Sequence, residues 1–129
     1  MAKTGYNINN YINVNELVTD FIGYYISNSF QDLVNNGIVK EYTVYNLNGN
    51  IFNRNNIYEL VDYFNNIVIN VNNTLCLDSG SRRIDIVFSG YYDMYENNCI
   101  VNKQNFTQSM TICHLNDHWF IKNSIIIFI

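Results

Sequence analysis

Asn105-Phe-Thr-Gln-Ser-Met-Thr-Ile-Cys-His-Leu115 and Trp119-Phe-Ile-Lys-Asn-Ser-Ile-Ile-Ile-Phe-Ile129 read as two long strands, and Asn116-Asp117-His118 between them reads as a tight turn. Both runs are dense in β-branched and aromatic residues, which fit a pleated, half-buried surface. A strand as aliphatic as 119–129 is expected to be locked into a sheet whose other members lie earlier in the chain.

The composition supports one folded domain over residues 1–129, with 1–12 expected to form a loosely ordered N-terminal segment. Pro is absent and Asn makes up about a fifth of the residues. Ile, Asn, Tyr and Phe share A/T-rich codons, so this bias points to an A/T-rich genome, such as that of a protist or of a large DNA virus of a protist. The Asn residues are interleaved with apolar ones that keep clean periods, which distinguishes the chain from disordered low complexity. A net charge of -4 argues against a surface that tracks phosphates. No apolar stretch approaches the ~20 residues that span a bilayer, and Cys76, Cys99 and Cys113 are odd in number and lack metal-ligand spacing. A soluble protein of the cytoplasm or nucleus, without metal or cofactor, is the expectation; for a viral protein the compartment would be the host cytoplasm.

Asn13-Val-Asn-Glu16 has the form of a helix cap, and Leu17, Val18, Phe21, Tyr24 and Tyr25 follow at three- and four-residue steps. Ser29 starts a second, short helix that buries Phe30, Leu33 and Val34 and stops at Gly37. A strand over 38–47 turns back at Asn48-Gly49 into 50–53. Asn56 caps a third helix with a stripe of Ile57, Leu60, Val61, Phe64, Ile67 and Val68. Only strands are expected beyond it, at about 70–78, 84–95, 106–115 and 119–129, with a long polar connection after Tyr95. This order predicts an α+β fold, three helices against a strongly bent antiparallel sheet that closes into a cone.

Four segments in this order resemble the nuclear transport factor 2 family: Phe21-Ile-Gly-Tyr-Tyr25 in the first helix, the Leu47-Asn-Gly-Asn50 turn, Phe106-Thr-Gln-Ser-Met110, and the turn Asn116-Asp-His-Trp119. The likeness spans residues 13–129 and implies the cystatin-like α+β roll, a cone. It implies one of two kinds of function. The transport and ribonucleoprotein branch consists of non-enzymatic dimers that pair through the outer sheet face and bind Phe-Gly-type peptides or a partner protein. The other branch consists of small lyases and isomerases with Asp, His and Tyr in the hollow. Where transport carriers place acids to meet their GTPase, this chain has Asn48, and after Tyr95 only Glu96.

In the enzymatic reading the candidates are Asp85, Asp93 and His114, since proton transfer in a hollow needs a buried carboxylate or imidazole with a tuned pKa. No pairing of carboxylates or of His with Asp recurs in any element, which weighs against catalysis. In the interaction reading, eleven Tyr and eight Phe exceed what one small core needs. Outward candidates for a dimer interface, with itself or a related domain, are Tyr91, Thr107, Ser109, Thr111, Phe120, Ile126 and Phe128, with the opposite parity left open by alternation alone. From the resemblance, a bound peptide would lie in a groove bordered by Tyr11, Phe21 and Tyr25. Direct nucleic-acid or membrane partners are not expected.

Overall fold

The computed structural model describes residues 13–80 and 82–129. Its elements run α1 (Val14–Ser27), α2 (Phe30–Asn35), β1 (Val39–Leu47), β2 (Asn50–Phe52), α3 (Glu59–Phe64), β3 (Ile67–Gly80), β4 (Arg83–Glu96), β5 (Cys99–Leu115) and β6 (His118–Phe128). All six strands join one sheet in the order β2-β1-β6-β5-β4-β3. The expected cone-like α+β architecture is present, with one difference in the sheet: β1 and β6 pair in parallel, so the sheet is mixed.

The first two helices start where the caps place them. Asn13 Oδ1 accepts from the Glu16 amide at 2.9 Å, and Ser29 Oγ accepts from the Asp32 amide at 3.1 Å. Gly37 takes φ +74, a left-handed stop that other residues enter at a cost. The third helix is shorter than its stripe suggested. Asn56 Oδ1 accepts from the Asn53 amide and is therefore spent on the preceding turn, and three-residue turns lead into Glu59. At the other end Ile67 and Val68, expected on the helix, open β3 opposite Met94 and Asp93. A β-branched pair satisfies either period, and here pairing with β4 decides.

Three hairpins turn on left-handed residues: Asn48-Gly49 (φ 49 and 98), Asn97-Asn98 (51 and 65) and Asn116-Asp117 (52 and 64). Two consecutive positive φ values match the right-handed twist of the flanking strands, and Asn and Asp tolerate them better than other side chains do. The Asn97-Asn98 turn corrects one expectation. No long connection follows Tyr95; β5 begins at Cys99, seven residues earlier than 106, directly opposite Glu96.

Bulges bend the sheet. In β3 the register slips between Val71 and Asn73, and Gly90 of β4 faces the break. A Cβ on Gly90 would lie 1.8 Å from the Asn70 carbonyl oxygen, so only glycine lets the strands approach this closely. In β6 the partners step from Thr111↔Asn123 to Ile112↔Ile121, leaving Lys122 as the extra residue.

Inside the bend, α1 lays Leu17, Val18, Phe21, Ile22 and Tyr25 against Ile84, Ile86, Phe88 and Tyr92 of β4 and Phe106, Met110 and Ile112 of β5. Aromatic rings fill the middle. Tyr92 stacks on Phe106 at 4.4 Å between centroids, and Phe30 stacks on Phe64 at 5.6 Å. Gly90→Ala is expected to force these strands apart and cost about 3 kcal/mol or more, as overpacking against backbone does, with a clear fall in the melting temperature followed by circular dichroism. Gly23→Ala, where a Cβ meets nothing within 4 Å, serves as the unchanged or stabilised control.

Candidate functional site

The two faces of the sheet divide polar chemistry between them. On the face toward the helices, Gln108 is fully buried and donates from Nε2 to the Tyr25 hydroxyl (3.2 Å) and to Ser124 Oγ (2.7 Å). Ser124 Oγ donates in turn to the Ser109 carbonyl at 3.1 Å, and the Tyr25 and Tyr45 hydroxyls lie 3.0 Å apart. Burial pushes the pKa of both phenols up, so the group is a neutral network and offers no anion for catalysis near neutral pH. A cleft of about 230 Å³ opens beside it, between the α1–α2 corner and the α3–β3 corner, with Tyr25, Phe30, Leu33 and Phe64 among its walls.

The candidate acids of the hollow lie elsewhere. On β4 the even-numbered residues Ile84, Ile86, Phe88 and Tyr92 face the helices, which places Asp85 and Asp93 on the outer face. Asp85 accepts from Thr111 Oγ1 at 2.7 Å and meets Arg83 at 3.5 Å; Asp93 meets Lys103 at 3.1 Å and Asn70 Nδ2 at 3.1 Å. Eight residues of one strand separate them, roughly 26 Å, so they cannot act on one substrate atom. His114 does face inward with Phe106, Gln108, Met110 and Ile112, at the far end of β5, where its ring lies 5.1 Å from that of Trp119. Burial, with Arg82 as the next contributor, holds its pKa below the usual 6.5. The three candidates are thus not brought together, and the expected enzyme pocket of Asp85, Asp93 and His114 does not form.

The expected peptide groove is also corrected. Phe21 is 1% exposed and belongs to the core, so it cannot border a docked chain, and Tyr25, 2% exposed, reaches only the wall of the 230 Å³ cleft. Tyr11 lies outside the described residues.

The dimer-face candidates fall into two groups. Tyr91, Thr107, Ser109 and Thr111 all alternate with buried inward residues and so occupy the outer face, although the Asp85 bond leaves Thr111 little surface. Phe120 is also on that face, opposite Cys113, and is covered by Tyr42 (ring centroids 5.8 Å) and Lys40. Ile126 and Phe128 are on the other side, contrary to expectation. Ile126 is fully buried, and the Phe128 ring lies 6.2 Å from Tyr92 in the core. The cause is the bulge at Lys122: Trp119 and Ile121 point inward before it, and Ser124, Ile126 and Phe128 after it, so parity reverses along one strand. The outward positions are Ile125 and Ile127, 44% and 55% exposed.

Parity counting therefore missed the residues that make the outer face apolar. Across the strands, Leu75 lies opposite Val87, Val87 opposite Ser109, and Ser109 opposite Ile125, giving an uncharged row four strands wide. Ile127 extends it beside Thr107. The polar pair Lys122-Asn123 inside an aliphatic strand was the available signal of the phase change.

No protein-family model matches the chain, and no curated protein matches its sequence. Its structure is similar to solved cystatin-like and nuclear transport factor 2-like folds, which defines the class of fold. Yeast UBP3-associated protein BRE5 superposes with a TM-score of 0.71 at 16% identity, covering 92% of this chain and 98% of that one. Nuclear transport factor 2 of Cryptosporidium parvum superposes with 0.66 at 13% identity, over 89% and 94% of the two chains. The association domain of C. elegans CaMKII superposes with 0.63 at 13% identity, over 87% and 91%.

Ile126→Lys is expected to unfold the domain, since it removes a fully buried side chain and buries an ammonium, a combined cost of about 4 kcal/mol or more, whereas Ile127→Lys should keep the native circular dichroism. Because the folded pKa of His114 is lowered, the unfolded chain binds its proton more readily. Its contribution to stability is complete above about pH 6.5 and falls away as the pH drops through the folded value. Denaturant titrations between pH 7.5 and 5 should show that loss, and His114→Phe should flatten it.

Proposed function

We propose that this chain is a protein-interaction module that performs no chemistry of its own, pairing with itself or a related domain through the outer sheet face. The observation that carries this reading is the uncharged row Leu75, Val87, Ser109, Ile125 and its neighbour Ile127, apolar surface that a sheet exposes at a cost unless something covers it. Outward rows recur every ~6.6 Å, so these two rows across four strands present on the order of 250 Å² in projection, an apolar centre for the ~800 Å² of accessible surface each partner buries in a standard interface. The placement of Asp85 and Asp93 outside the cone supports the same side of the choice. A lyase or isomerase using the hollow is the alternative.

The particular setting we infer is nucleocytoplasmic transport, mRNA export or ribonucleoprotein assembly, in the nucleus or cytoplasm, with a partner protein or Phe-containing peptide as the bound species. It is supported by the likeness in fold to a nuclear transport factor 2 and to a protein described by its association with UBP3. Likeness to an association domain supports self-assembly. Sedimentation at micromolar concentration is expected to show a dimer, and the double change Ile125→Lys with Ile127→Lys a folded monomer. A wild-type monomer that binds small molecules in the cleft beside Tyr25 would overturn the reading in favour of the alternative.

A further inference from the structure

The sheet ends on β3, and among the described residues no strand pairs with its far edge. A free edge presents unpaired amide and carbonyl groups, and proteins ordinarily guard one with charge, proline or shortness. Here residues 67–77 contain no charged residue and no proline; a bulge between Val71 and Asn73 interrupts them, and Asp78 with a second register shift before Gly80 follows only at the end of the strand. Downstream of it, Leu75 and Leu77 stand 64% and 61% exposed on the outer face. On the inner side Cys76 Sγ meets Asn15 Oδ1 of α1 at 3.1 Å, so the helix backs the edge from within while the outer side stays open. At the end of the strand Arg83 lies opposite Gly80, with Arg82 beside it, both exposed.

We propose that the β3 edge captures an extended segment of a partner protein as a seventh strand, one with apolar side chains at alternate positions and an acidic flank against Arg82 and Arg83. Backbone hydrogen bonds supply the affinity, which is why an uncharged edge suffices. Leu75 and Leu77 define alternate contacts on the outer face, and the Arg pair sets the register through charge. Asp85 takes part of the Arg83 charge, so Arg82 carries most of this selection. The inference rests on the partner-binding reading and moves the peptide site from the buried Phe21 and Tyr25 to the sheet edge.

The test uses the full chain and a fluorescein-labelled octapeptide of alternating Thr and Val with two Glu at one end, made in both orientations. Fluorescence anisotropy should show saturable binding by one orientation. N-methylation of the amides that face the edge should weaken it by at least about tenfold, and replacing Glu by Lys by about fivefold. Leu75→Lys with Leu77→Lys should lose binding by about tenfold with the native circular dichroism spectrum retained. No saturable binding, or binding indifferent to N-methylation or to the two lysines, overturns the proposal. So does self-association that the Leu75/Leu77 change abolishes and the Ile125/Ile127 change spares, since the edge would then belong to a second copy. Loss of the dimer alone, with peptide binding intact, strikes the sheet-face reading and leaves this one standing.

Discussion

The bend of the β3–β4 hairpin, where Gly90 meets the Asn70 carbonyl across the bulge at residue 72, is the constraint on which the remaining structure depends. Backbone atoms at that distance admit no side chain, and the strands fold inward around the contact. A flat sheet of strands this long would leave the inward aromatics on an open surface. Bent, it brings Phe88 edge-on to Tyr25 of α1 and Tyr92 edge-on to Phe64 of α3, and Phe30 of α2 stacks on Phe64 to close the hollow.

Curvature also separates the two kinds of polar chemistry. Inside, low dielectric favours neutral groups, and the interior network is made of phenols, an amide and a serine hydroxyl. Outside, the carboxylates of Asp85 and Asp93 keep company with Arg83 and Lys103 at the margins of an uncharged centre. The same separation explains why three residues suited to catalysis are scattered over two faces and both ends of the sheet.

The elements themselves were largely legible. Caps at Asn13 and Ser29, the stop at Gly37 and the Asn-Gly turn are local chemistry, and they fall where the residue types put them. The third helix was overextended because Ile67 and Val68 satisfy both periods, and the choice between them was made by β4, far away in sequence. The outer face was half legible. Alternation placed Tyr91, Thr107, Ser109 and Thr111 correctly, and one extra residue at Lys122 inverted the rest of β6, exchanging Ile126 and Phe128 for Ile125 and Ile127. Four apolar residues in a row, Ile125 to Phe128, give no indication of which pair is buried.

By itself the sequence determined the α+β class, the order of the elements and the turns at Asn48-Gly49 and Asn116-Asp117, where local residue chemistry is decisive, but not the tight turn at Asn97-Asn98. Only the tertiary structure decided the parallel pairing of β1 with β6, the phase of β6 after its bulge, and the burial of Phe21 and Tyr25. It also decided that the acids stand outside the cone. The physical reason is that a side chain's face depends on the register between distant strands, and register is a property of the packed sheet.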